Sequence, residues 1–154
     1  TSILEDDIET AKQKIQFGKK QINILSEKQK DILATYQAGK AYLTKQKICL
    51  FDCEVVKDDL VYPSKKDLEN KIKTYLSGTI ALEVIKNETY VVSKEELQEA
   101  YKIANDMVEE YKMEDNESHI IKKIKSNLKE EFEENIDQIE EIKKVLLKDE
   151  VVVF

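Results

Sequence analysis

Ser26-Glu-Lys-Gln-Lys-Asp-Ile-Leu-Ala-Thr-Tyr-Gln-Ala-Gly-Lys-Ala-Tyr-Leu43 is the stretch on which the reading of this chain turns. Its first residue is a hydroxyl that caps the exposed amides at a helix start, and Gln29, three residues on, reaches back to the Ser26 amide as the other half of a capping box. Ile32, Leu33, Tyr36 and Leu43 follow at helical spacing, so a helix opening at Ser26 is predicted. Gly39 weakens its interior, because glycine gives up more backbone freedom in a helix than any other residue.

Upstream, Ser2 with Glu5 opens an earlier helix whose apolar stripe is Leu4, Ile8, Ala11 and Ile15, and Gly18 stops it. Downstream, Ile48 to Val56 is short, apolar and partly β-branched, the pattern of a strand pair or extended segment, and Tyr62-Pro63 closes the loop after it. Ser64 with Asp67 then starts a helix carrying Leu68, Ile72, Tyr75, Leu76, Ile80 and Val84 to about Lys86, with Gly78 allowing close packing. Tyr90 to Val92 reads as a brief extended link. Ser93-Lys-Glu-Glu96 is a further capping box, before a helix with Leu97, Ala100, Tyr101, Ala104, Met107, Val108 and Tyr111.

After the polar loop Met113 to Ser118, apolar positions recur at three and four through Ile121, Ile124, Leu128, Phe132, Asn135, Ile139, Ile142 and Leu146. One long helix is predicted there, with its alternating Lys and Glu residues forming a solvated face. Val151 to Phe154 is an apolar end that must dock or continue into further sequence. The fold class is therefore mainly α: about five helices, with a short β element between the second and third.

The 154 residues suffice for one domain with its own core, spanning 1–154, and 37% charged residues with a single Pro and three Gly favour amphipathic helices. A net charge of -7, with the basic residues dispersed among acids, argues against nucleic-acid binding. All 25 basic residues are Lys, so no bidentate guanidinium fork and no arginine finger come from this segment. Cys49 and Cys53 lack nearby His or Cys partners for a four-ligand zinc site and read as reduced, largely buried thiols in a cytoplasmic setting. No apolar run reaches the roughly 20 residues that span a bilayer, so this segment itself has no membrane contact. The sequence begins at Thr1 rather than Met, as a fragment of a longer protein or a processed product would.

Taken in order, the pieces resemble the peptidase domain of FtsH-type AAA+ zinc metalloproteases. Ile24 to Lys30 followed by Ala34-Thr-Tyr-Gln-Ala-Gly-Lys-Ala41 resembles the stretch where that family carries H-E-A-G-H. Leu76-Ser-Gly-Thr-Ile-Ala-Leu-Glu-Val84 is similar to its Leu-Gly-Gly-Arg-Ala-Ala-Glu-Glu helix, and Ile103-Ala-Asn-Asp-Met-Val108 to its I-A-R-x-M-V helix. The resemblance covers nearly the whole chain and implies the C-terminal part of an AAA+ protein. It also implies a homohexameric ring, with ATP and magnesium used by a motor before Thr1 and any membrane helices earlier still.

In such enzymes two His on one helical face hold zinc and the Glu after the first takes a proton from the bound water. The resemblance lays those positions on Tyr36, Gln37 and Lys40, and the third, acidic ligand on Glu96. Tyr, with a phenol pKa of about 10, is a poor zinc ligand near neutral pH; Gln has no basic carboxylate; and the Lys cation repels a metal. No catalytic, metal-binding or cofactor-binding residue is then expected in this domain, which makes it a pseudopeptidase. Glu96 has a local role as the reciprocal partner of Ser93, and Lys40 is expected to hold the site closed if it meets a carboxylate such as Glu96. His119 reads as a surface residue. The expected function is ring assembly or substrate handling without zinc-dependent proteolysis. The alternatives are a stand-alone interaction module using its Tyr residues and the Val151 to Phe154 end, or residual activity through an unusual metal or nucleophile.

Overall fold

A computed structural model describes residues 25–52 and 60–154. The helix expected over Ser2 to Gly18, Cys53 and the end of the Ile48 to Val56 segment lie outside the described residues. The described chain is mainly helical: α1 (Glu27–Thr44), α2 (Lys65–Lys86), α3 (Lys94–Glu109), α4 (Glu117–Glu134) and α5 (Ile136–Asp149), with two short strands, β1 (Ile48–Cys49) and β2 (Val151–Val152).

Local chemistry sets the helix starts. The Ser26 box closes in both directions, with the Gln29 amide donating to Ser26 Oγ and the Ser26 amide to Gln29 Oε1. The box at Ser64 does the same with Asp67 at 3.0 Å each way. Asn116 caps α4 by accepting from the His119 amide. α2 ends at Asn87, whose left-handed backbone is the usual αL stop.

α1 is buried from Leu33 through Tyr42 without interruption, and α2 is buried from Tyr75 through Leu82. Two such helices pack closely only where side chains are small. A Cβ on Gly39 would collide with the Ala81 side chain, and one on Gly78 would lie 2.5 Å from the Tyr36 ring. α3 and α4 cover α2 with one stripe each: Ala100, Ala104 and Met107 from the first, Ile121, Ile124, Leu128 and Phe132 from the second. Phe132 also meets Tyr42 of α1 edge to face, with centroids 5.6 Å apart.

Two sequence expectations change. The long helix after residue 117 breaks at Asn135, which the apolar pattern had absorbed: its side-chain amide donates to the Glu131 carbonyl at 2.8 Å and its backbone amide bonds Phe132 three residues back. A side chain that competes for the i−4 carbonyl ends the α4 ladder locally, and a new helix, α5, starts. β1 is only two residues long, and its partner is the chain's apolar end, Ile48 pairing antiparallel with Val152 and Cys49 with Val151. Tyr90 to Val92 lies in the link between α2 and α3. Among the described residues, no helix is long and apolar enough to cross a membrane.

Candidate functional site

Two turns of α1 project side chains in two directions. Tyr36 and Lys40, four apart, share one face and meet α3; Gln37, one residue on from Tyr36, points to the turn after β1. All three are buried, as is Glu96 in the first turn of α3.

Glu96 receives both partners from α1. The Tyr36 hydroxyl donates to Oε1, and the Lys40 ammonium lies 2.8 Å from Oε2. Both residues of the ion pair are over nine-tenths buried, Lys40 at 7% and Glu96 at 3% exposure, so each charge depends on the other for its stability inside the protein. Lys40 Nζ also lies 5.7 Å from the centre of the Tyr36 ring, whose π-face favours a cation. Gly78 leaves the space in which that ring sits.

Glu96 was expected to reach back to Ser93. Half of that box forms, with the Glu96 amide donating to Ser93 Oγ at 3.2 Å, but the carboxylate is engaged by Tyr36 and Lys40 across the core. Burial explains the choice: a carboxylate this far from water is better satisfied by an ammonium and a hydroxyl than by one backbone amide.

Gln37 acts as a donor hub. Its amide nitrogen faces the carbonyls of Cys49, Leu50 and Asp52 at 3.3, 3.2 and 2.8 Å, which fastens the β1 turn onto α1. A carboxylate in its place would meet three acceptors and have nothing to donate. That structural role was not foreseen; the signal for it was the apolar Ile48 to Leu50 segment a few residues after the helix, whose carbonyls need donors once buried.

A zinc ion does not fit this donor set. An ammonium offers no lone pair, the Gln37 amide group is turned to backbone carbonyls, and both oxygens of Glu96 are taken by α1. Among the described residues, no three His, Cys, Asp or Glu side chains gather in a metal-holding group. His119 is exposed in the first turn of α4, and Cys49 is a half-buried free thiol.

Beside the ion pair is a cleft of about 380 Å³ whose lining includes Lys40, Lys47, Ile48, Asp52, Tyr75 and Glu96. A second, of about 350 Å³, runs between the start of α2 and α3 and is lined in part by Pro63, Leu68, Ile103 and Tyr111.

In sequence the chain is similar to the ATP-dependent zinc metalloprotease FtsH of Caldicellulosiruptor bescii, with 27% identity over 130 residues. The match takes in 71% of this chain and 21% of that protein, so the chain spans about a fifth of the length of the curated relative it matches. No protein-family model matches the chain.

Proposed function

We propose that this chain is the peptidase-like domain of an FtsH-related AAA+ protein in which the zinc site has been replaced by a Tyr–Glu–Lys lock, so that it serves ring assembly or substrate handling without zinc-dependent proteolysis. The similarity to a zinc metalloprotease supports the family relationship. The observation that carries the loss of chemistry is the buried Lys40 ammonium 2.8 Å from Glu96, a cation where the family resemblance calls for a metal ligand.

In this reading Tyr36, Gln37 and Lys40 occupy the H-E-x-x-H positions and Glu96 that of the acidic ligand, so the domain itself uses no cofactor. ATP and magnesium belong to a motor that precedes it. The protein acts as a hexamer on the cytoplasmic side, and any membrane attachment comes through earlier segments. The test is degradation of casein by the full-length protein with ATP and magnesium. ATP hydrolysis without casein fragments is expected; fragments whose appearance stops on adding a zinc chelator would overturn the proposal.

A second reading, a helical interaction module, is favoured by side chains the core leaves out. Val61 and Tyr62 are 81% and 95% exposed, and beyond β2 Val153 and Phe154 stand at 69% and 57%. A parent sequence without a G-x-x-x-x-G-K-[ST] loop before Thr1 would favour it over the motor-linked reading.

A further inference from the structure

The cleft beside the ion pair is lined by both of its members. Glu96 has one oxygen bonded to Tyr36 and the other to Lys40. Lys40 is not saturated. An ammonium has three N–H groups, and among the described residues its partners are Glu96 and the Tyr36 ring face. The hydroxyls of Thr44 and Thr74, also in the lining, donate to the carbonyls of Lys40 and Asn70 in their own helices. The buried Lys40 ammonium therefore has N–H groups left over that an acceptor in the cleft would satisfy.

Charge narrows the class of that acceptor. Among the described residues the lining carries Lys40 and Lys47 together with Glu96 and Asp52, a balance unfavourable to a dianion. Ile48 and Tyr75 supply apolar wall, and about 380 Å³ is the size of a small-molecule pocket with a few convergent polar groups.

We propose that this cleft binds a small organic monocarboxylate, with Lys40 as the buried donor to its carboxylate and the carbon tail against Ile48 and Tyr75. The proposal is independent of the family reading, since it uses only groups present in this chain. Glu96 competes with the ligand for the same ammonium, so it lowers affinity.

The carboxylate has two natural sources, a free acid or the C-terminus of a peptide. Propionate, benzoate and acetyl-trialanine with a free C-terminus are titrated into the protein while amide resonances of the lining, such as those of Lys47 and Ile48, are followed by NMR. Propionamide and the C-terminally amidated tripeptide are the neutral controls. Binding of either kind of carboxylate, with the amides weaker, is the expected result and identifies the source; binding of none, or of amides equally well, overturns the proposal.

Two variants assign the donor. Lys40→Met keeps the apolar stem and removes the N–H groups, which is expected to weaken binding by at least about tenfold. Glu96→Gln is the second variant: it preserves an acceptor for Tyr36, releases Lys40 from its counterion and leaves the ammonium to be paired by the ligand, so a carboxylate should also stabilise this variant against unfolding. Affinity for the carboxylate is expected to rise about tenfold. A residue with only a structural role would not produce that gain, and unchanged or weaker binding in Glu96→Gln overturns the assignment of Lys40.

Discussion

Two Lys–Glu pairs join separate parts of this protein, Lys40 with Glu96 between α1 and α3, and Lys65 with Glu114 between the start of α2 and the loop after α3. Their groups are the same and their surroundings are opposite. Lys65 and Glu114 keep 46% and 21% of their side chains exposed, so water and salt screen the attraction. Lys40 and Glu96 are almost dry, and there the charges are costly alone and mutually necessary. Loss of the surface pair is expected to have little consequence, whereas the buried pair ties α1 to α3 in the dry interior.

The largest effect should follow from breaking the buried pair on one side. Lys40→Ala leaves the Glu96 carboxylate unpaired and is expected to cost about 3–5 kcal/mol in urea unfolding. In a Glu96→Gln background the same substitution should cost less, because the remaining group is neutral; equal losses in the two backgrounds would show that the charges are uncoupled.

Gln37→Glu comes next, at about 3 kcal/mol near neutral pH, because a carboxylate would face the carbonyls of Cys49, Leu50 and Asp52. Burial beside acceptors raises the introduced carboxyl's folded pKa above its unfolded value. Its protonated form, which can donate, is the tolerated one, so the deficit should shrink as pH falls through that raised pKa and be greatest above it. Unfolding curves across pH check the sign.

Gly78→Ala presses a methyl group into the Tyr36 ring and is expected to cost about 1–3 kcal/mol, with a shift of the Tyr36 ring resonances as the sign that the lock has moved.

The smallest effect belongs to the exposed pair. Its hydrogen bond to Lys65 holds the Glu114 carboxyl below the usual carboxylate range, and that to Glu114 holds Lys65 above its ordinary value. Glu114's contribution is therefore present above the ordinary carboxylate range and lost only as pH falls through its lowered folded value. Lys65→Ala should return the Glu114 titration, followed by NMR, toward normal with little change in stability, and high salt should do much the same.

How far the sequence could be read follows the range of the interactions. The caps at Ser26, Ser64 and Ser93 are local, and all three start helices where the spacing placed them. Glu96 satisfied a local pattern too, yet its carboxylate answers to Tyr36, 60 positions away, and no spacing rule sees that distance. Only the family resemblance put Tyr36, Lys40 and Glu96 side by side. The pairing of Ile48 with Val152 was hidden for the same reason: two short apolar runs at far points of the chain do not name each other. Asn135 was legible in type, since Asn competes for helix carbonyls, but an unbroken three-and-four rhythm around it argued for continuity. Gln37 registered as a missing base, while its amide was fastening a turn that only the folded chain brings within reach.

In the proposed reading an ammonium and a carboxylate stand where relatives would hold a metal. Zinc titration of the purified protein by calorimetry, followed by metal analysis after dialysis, tests this most directly. No stoichiometric zinc is expected, with or without Glu96→Gln. One tightly held zinc per chain that disappears in Glu96→Gln would contradict it.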